Sequence, residues 1–244
     1  MCGIAGFVNL KSEPASVVIL KRMTDAIIHR GPDGEGHWIE DNVGLGHRRL
    51  AIIDLSSAGH QPMVTADHRY VLSYNGEVYN FQELRLELES CGREFQSRTD
   101  TEGVVNAYAE WGVDALNRFN GMFAFAIWDN KSRELLLARD RYGIKPLYYT
   151  RIGNTFLFAS EIKAFLAHPA FRAQLDPEAL VEYFTFQNIL SNRTLIEGIE
   201  TFPAGHYAIL DTRLPNPTLE HRQYWGFVFE EPANRTDDRE YIEE

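Results

Sequence analysis

Cysteine is scarce in this 244-residue chain: only Cys2 and Cys91 occur, too few for a disulfide framework or a four-ligand metal site. An excess of basic residues is missing as well. Twenty-four Lys and Arg stand against 35 Asp and Glu, a net charge of −11, and pairs such as Arg48-Arg49 are short and flanked by apolar residues, so no nucleic-acid partner is expected. No stretch approaches the roughly 18 to 20 uninterrupted apolar residues of a membrane span. The opening MCGIAGFVNLK has neither the basic flank nor the length of a signal peptide, which leaves a cytoplasmic location and no membrane partner as the expectation. A Cys2–Cys91 disulfide is not expected in that compartment. None of the eight histidines forms an HxxxH or HExxH pair, and no metal is expected.

What is present is ordinary globular material. A 44% hydrophobic content supports a sizeable core, in one large domain or a domain with a tail. Strand-like runs are Gly3 to Val8, Gly44 to Ile53, Tyr70 to Asn75, Phe123 to Asp129, Glu134 to Arg139, Leu147 to Thr150, Thr155 to Ala159 and His206 to Asp211. Helical spacing runs from Ser16 to Ile28. Asn80 with Glu83 makes a capping-box-like start for a helix to about Ser90, closed by Gly92, and Thr99 with Glu102 starts another that ends before Gly112. A further helix is expected over Glu178 to Phe184. FAFAIWD lacks strict alternation, which implies burial on both faces, between a second sheet and a helix layer. The expected class is therefore α+β, a four-layer α-β-β-α sandwich of two antiparallel sheets between helix layers. From about Leu214 prolines and charges accumulate, which reads as a linker or the start of something further.

Cys2 is the first candidate for chemistry. Removal of Met1 would leave one residue carrying both a thiol and an α-amino group, a nucleophile with its own base. The α-amino pKa of about 7.7 to 8.0 suits it to take the thiol proton and later give it to a leaving amine. The plain alternative is a small residue at the start of a strand. Asn75-Gly76 likewise has two readings: a hairpin turn, of which Asn-Gly between apolar runs is the strongest short signal, or a pair of hydrogen-bond donors.

The string MCGIAGFVN, followed by HRGPDGEG (His29 to Gly36), GHRRLAIIDLSSAGHQPM (Gly46 to Met63) and YNGEVYN (Tyr74 to Asn80), resembles the class II glutamine amidotransferases, which are N-terminal-nucleophile (Ntn) hydrolases. Within them it is most similar to the asparagine synthetases. The likeness continues through RTDTE (Arg98 to Glu102), GMFAFAIWD (Gly121 to Asp129), ARDRYGIKPLYY (Ala138 to Tyr149) and FASEIKA (Phe158 to Ala164), and so covers residues 2 to 210. Families that pass ammonia to a phosphoribosyl or hexose acceptor typically carry Gln or Tyr in place of Pro32, and HTRW- or HVRY-like strings in place of HRRL.

The resemblance implies that Cys2 attacks the side-chain amide of glutamine, with Asn75 (side-chain NH₂) and Gly76 (backbone N–H) donating to the oxyanion. Arg49 is the matching arginine for the α-carboxylate, since a guanidinium holds a carboxylate with two parallel bonds. Asp100 matches the ammonium-binding aspartate, while Glu77 and the carbonyls of Ile52 and Ile53 match neighbouring contacts. Asp100 also stands at a helix start, where an acidic residue merely satisfies the first turn. RGPDGEG reads as a turn over the site, ARDRYGIKPLYY as a strand-loop-strand near the nucleophile, and Cys91 as a buried or inert thiol.

The same family continues into a synthetase domain whose SGGxDS-type loop binds ATP. No such string occurs here. The expected organisation is a glutaminase domain over residues 2–211, with 212–244 as a linker and the start of a synthetase portion. ATP and Mg are expected only there, and no cofactor in this chain. Expected partners are glutamine and the synthetase domain or subunit that receives ammonia, and the resemblance leaves a homodimer open. Two rival functions stand beside this one: a glutaminase serving another acceptor, a sugar or secondary metabolite, and a catalytically silent glutamine-binding module.

Overall fold

In the computed structural model, which describes residues 1–52 and 54–228, the elements run in chain order β1 (Gly3–Asn9), α1 (Val17–Asp25), β2 (Gly34–Glu40), β3 (Val43–Arg49), β4 (Met63–Val64), β5 (Tyr70–Val78), α2 (Phe81–Ser90), α3 (Asp100–Trp111), α4 (Ala115–Arg118), β6 (Gly121–Asp129), β7 (Glu134–Arg139), β8 (Tyr148–Ile152), β9 (Thr155–Ala159), α5 (Lys163–Leu166), α6 (Pro177–Phe186), β10 (Ile199–Thr201), β11 (His206–Asp211) and β12 (Glu220–Gln223). They form two antiparallel sheets, β10-β8-β9-β1-β3-β2 and β12-β11-β7-β6-β5-β4.

Side-chain alternation explains the stacking. In β6, Phe123, Phe125 and Ile127 point into a core shared with α2 and α3, while Ala124, Ala126 and Trp128 point the other way into a core between the sheets. β7 divides in the same manner, Leu136 and Ala138 outward, Leu135 and Leu137 inward. The first sheet meets them with Ile4, Val8, Val43 and Leu45. Its far face carries Ala5 and Phe7, covered by Leu20, Met23, Ala164 and Phe165 of α1 and α5. Three cores separate four layers, as the doubly buried FAFAIWD implies. Among the described residues no helix is long and apolar enough to cross a membrane.

Several local expectations are corrected. β3 stops at Arg49, short of Ile53, because the next backbone groups bond off the ladder: Leu50 N–H meets Cys2 Sγ at 3.4 Å and Ala51 N–H meets Asp33 Oδ2 at 2.9 Å. The expected turn RGPDGEG reaches only Asp33. Gly34–Glu40 is strand β2, and the glycine at 36 is there because a Cβ would run into the Gln61 carbonyl. Asn75-Gly76 is no hairpin turn: both residues lie inside β5, opposite Ala124 and Phe123 of β6. Asn80 begins α2 without capping it, its side chain instead donating to Arg118 O (3.0 Å) and accepting from Asn120 N–H (3.0 Å). Thr99 does cap α3, accepting from Glu102 N–H at 3.3 Å, and Gly112 closes that helix at φ 58°. Cys91 is exposed, and both cysteines are free. Within the segment expected as a linker, β12 pairs with β11 in the register His206↔Gln223 to Ile209↔Glu220. Residues 229–244 of that segment lie outside the described residues.

Candidate active site

Cys2 immediately precedes β1, whose first residue pairs with Arg48 of β3. This places the Cys2 sulfur against Leu50, accepting from its N–H at 3.4 Å and facing its carbonyl at 3.6 Å. The carbonyl of Cys2 is fixed by Arg30 Nε at 2.9 Å, and Arg30 pairs with Glu161 at 3.0 Å. Burial pushes the Cys2 thiol up. The Leu50 N–H and the chain-terminal ammonium pull it down, Asp100 adds to the rise, and Arg49 opposes it.

β5 supplies the opposite wall. Its edge away from β6 is read by side chains rather than by a full strand: Tyr74 N–H donates to Gln61 Oε1 (2.7 Å) and Val78 N–H to Asp100 Oδ2 (3.0 Å). Backbone N–H groups two residues apart point the same way in a strand. Gly76 N–H, midway between these two, therefore points along that edge. Beside it Asn75 is buried, and its Nδ2 donates to no acceptor among the described residues, which is uncommon for a buried amide. Gly76 has a second constraint, since a Cβ there would sit 2.5 Å from Met122 O and 2.8 Å from Phe123 Cα.

Cys2, Arg49, Ile52, Asn75, Gly76, Glu77 and Asp100 all line one cavity of about 190 Å³. Ile53 lies outside the described residues. Arg48 and Arg49 diverge as strand alternation requires. Arg48 turns to Thr24 O, Asp25 and Glu35. Arg49 turns into the cavity, where its Nη atoms donate to the carbonyls of Ser56 (2.8 Å) and Asp54. Two of its five N–H donors are so engaged, leaving a fork for a carboxylate. Asp100 stands in the first turn of α3 and accepts from Tyr74 Oη at 2.7 Å as well as from Val78 N–H. Burial lifts its pKa above the ordinary carboxylate value, and these two donors counter the rise. Helix start and cavity wall coincide at this residue.

Among the wall residues that sequence reasoning missed, three stand out. Gln61 is buried and ties Tyr74 to Thr101 (3.3 Å). Tyr74 has its hydroxyl pKa raised well above 10, by burial first and Asp100 next, so it stays a donor to Asp100. Lys145 reaches the cavity from the loop after β7. All three lie within quoted motifs, HQPM, YNGE and GIKP, but no local pattern says which residue of a motif faces a pocket. The wall as a whole offers a thiol, the Asn75 amide and the Gly76 N–H, three acidic side chains (Asp54, Glu77 and Asp100) and two basic ones (Arg49 and Lys145). That set suits an amide-bearing zwitterion with a carboxylate at its far end.

A family model described as a glutamine amidotransferase domain matches residues 1–225. The chain is 39% identical over 242 residues to asparagine synthetase (glutamine-hydrolyzing) 3 of Bacillus subtilis, covering 98% of this chain and 39% of that protein. It is 37% identical over 242 residues to a Gibberella zeae protein named amidase chry2, covering 94% of this chain and 35% of that protein. The chain thus spans well under half the length of either relative. Among solved structures, a glutamine phosphoribosylpyrophosphate amidotransferase from Bacillus subtilis, complexed with ADP and GMP, superposes with a TM-score of 0.67 at 18% identity, over 93% of this chain and 50% of that one. That likeness carries the fold, an Ntn-type sandwich, and nothing more.

Proposed function

The chain belongs to the glutamine amidotransferase family, and from that premise we propose that it hydrolyses glutamine to glutamate and ammonia through a thioester on Cys2. The observation that carries this reading is that Asn75, whose buried Nδ2 has no acceptor among the described residues, lines the same cavity as Cys2. Sulfur attacks the side-chain amide carbon, and negative charge builds on the amide oxygen. Asn75 Nδ2 and Gly76 N–H are the donors for that oxyanion.

The proton released by the thiol goes to the α-amino group of Cys2 itself, exposed once Met1 is removed, and from there to the departing nitrogen. The C–N bond breaks, ammonia leaves, and a γ-glutamyl thioester remains. Water then attacks the thioester carbonyl, the same amine taking its proton, and glutamate departs as the sulfur recovers it. At the other end of the substrate, Arg49 holds the α-carboxylate and Asp100 the α-ammonium, with Glu77 and the Ile52 carbonyl as neighbouring contacts.

The ammonia serves ATP-dependent synthesis of asparagine from aspartate in the cytoplasm, in a synthetase portion beyond this chain, where ATP and Mg belong. The glutaminase chain uses no cofactor of its own. The relative named an amidase favours a second reading, in which the same ammonia serves a different acceptor.

A glutaminase assay on the purified chain tests the first step: glutamate release by the parent and none by Cys2→Ala is the expected pair. Glutamine binding without glutamate release by a chain beginning at Cys2 would replace it with a silent binding module.

A further inference from the structure

Lys145 is 4% exposed and lies in the cavity wall with Cys2. Its place is set with unusual rigor for a loop residue. Its N–H donates to Asp140 Oδ2 (2.9 Å) and its carbonyl accepts from Arg139 Nε (2.7 Å). The same Arg139 ties Gly143 O and Phe202 O, each at 2.6 Å. Asp140 is the nearest buried carboxylate along the loop, but it is consumed as a clamp by the N–H groups of Phe123, Tyr142, Ile144 and Lys145. Among the described residues the Lys145 ammonium forms no hydrogen bond or ion pair. Its Nζ is not among the buried unpartnered atoms, so the charge opens on the cavity itself, the setting in which charged groups serve chemistry.

The charged and titratable groups around the Cys2 sulfur are the chain-terminal ammonium ahead of β1, Arg30, Arg49 of β3, Asp54 of the loop after it, Tyr74 and Glu77 of β5, Asp100 of α3 and Lys145. Of the cations, Arg30 is paired with Glu161 and Arg49 is partly engaged by loop carbonyls and reserved for the substrate carboxylate. Among the described residues the Lys145 ammonium, like the chain-terminal one, has no anionic partner, and it lines the cavity. Burial lowers its pKa, Arg30 lowers it further, and Cys2, Glu77 and Asp140 act in the opposite sense.

We propose that Lys145 is a positioning residue for the thiol step, its cavity-facing ammonium adding a fixed positive charge to that of Arg49 and so favouring the Cys2 thiolate as it attacks the amide. Lys145 neither gives nor takes a proton in this step. The thiol proton passes to the Cys2 α-amine as before, the sulfur–carbon bond forms, and the ammonium lowers the energy of the negative sulfur by proximity alone. The inference rests on the glutaminase reading for its consequence, but the charge relation itself is measurable without turnover.

The test is the pH dependence of Cys2 alkylation by iodoacetamide in the full chain beginning at Cys2, in a Cys91→Ser background because Cys91 is exposed. Parent, Lys145→Met, Lys145→Gln and Lys145→Arg are compared. The expected result is a thiol midpoint raised by about one pH unit in both neutral variants, with alkylation about tenfold slower at a pH below the midpoint. Lys145→Arg restores the parent profile. In turnover, kcat falls in the neutral variants while KM for glutamine stays within about twofold. Neutral variants with the parent's alkylation profile overturn the inference. So does a loss of cooperative unfolding in both neutral variants but not in Lys145→Arg, which would give the charge to the fold. Failure of the parent itself to release glutamate would sink the proposed function separately, leaving the alkylation comparison intact.

Discussion

Replacing Asn75 by alanine separates chemistry from stability more cleanly than any other change in the site. In most buried polar residues, truncation breaks hydrogen bonds and destabilises the protein by about 1–3 kcal/mol. Asn75 is 1% exposed, yet its Nδ2 has no partner among the described residues. Truncation therefore removes an unsatisfied donor, a gain of roughly 1–3 kcal/mol, and leaves a cavity whose cost is of similar size at about 24 cal/mol per Å³. The net change in stability is expected to lie within about 1 kcal/mol of zero. Turnover has no such offset. Loss of one oxyanion donor costs about 2.7–4 kcal/mol in the transition state, a fall in kcat of about 100- to 1,000-fold, with KM nearly constant because the anchors at the amino-acid end remain. The assay pairs steady-state glutamate release with urea unfolding of the same preparations. A kcat within about threefold of the parent would refute the oxyanion assignment, as would an activity loss accounted for by unfolded protein.

Other perturbations address the remaining assignments. Gly76→Ala forces a Cβ to 2.5 Å from Met122 O and 2.8 Å from Phe123 Cα, backbone atoms that cannot swing aside, and should destabilise by about 1–3 kcal/mol or more; an unchanged urea midpoint would contradict the packing argument. Asp100→Asn keeps an acceptor for Tyr74 and Val78 but loses the charge, so cooperative unfolding should persist while KM for glutamine rises at least about tenfold; an unchanged KM would remove Asp100 from substrate binding. Arg49→Ala should likewise raise KM, and a purely kcat effect would speak against carboxylate binding. His47 is fully buried between the sheets, bonded to Tyr74 O at 3.1 Å, and burial holds its pKa down at about 3 against 6.5 in the open chain. The folded state thus favours neutral imidazole: its contribution is complete above pH 6.5 and is lost as pH falls toward 3, at about 1.4 kcal/mol per pH unit. His47→Gln should flatten the stability curve across that window, and identical acid sensitivity in parent and variant would refute the assignment.

The layered fold was legible because alternation broke down where it should. FAFAIWD cannot hide Phe123, Phe125, Ile127 and Trp128 on one face, and the structure divides them between two cores. Short edge elements such as β4, β10 and β12 were not legible, since two to four residues carry no periodicity. The glycines misled for a physical reason. Gly36 and Gly76 were read as turn residues, but both lie in strands where a neighbouring backbone leaves no room for a Cβ, and local sequence does not distinguish close approach from a turn. Cys2 was visible because its chemistry depends on place in the chain. Gln61, Tyr74 and Lys145 act from the wall by virtue of which way a loop or strand edge turns, and that is a property of the packed sheets.

The central claim is that one residue lends both sulfur and free amine to the reaction. Intact-mass spectrometry and glutaminase activity measured on the same preparation test it directly: the active fraction should equal the fraction of chains that begin at Cys2. Full activity in a sample whose chains all retain Met1, and whose Cys2 nitrogen is therefore an amide, would contradict it.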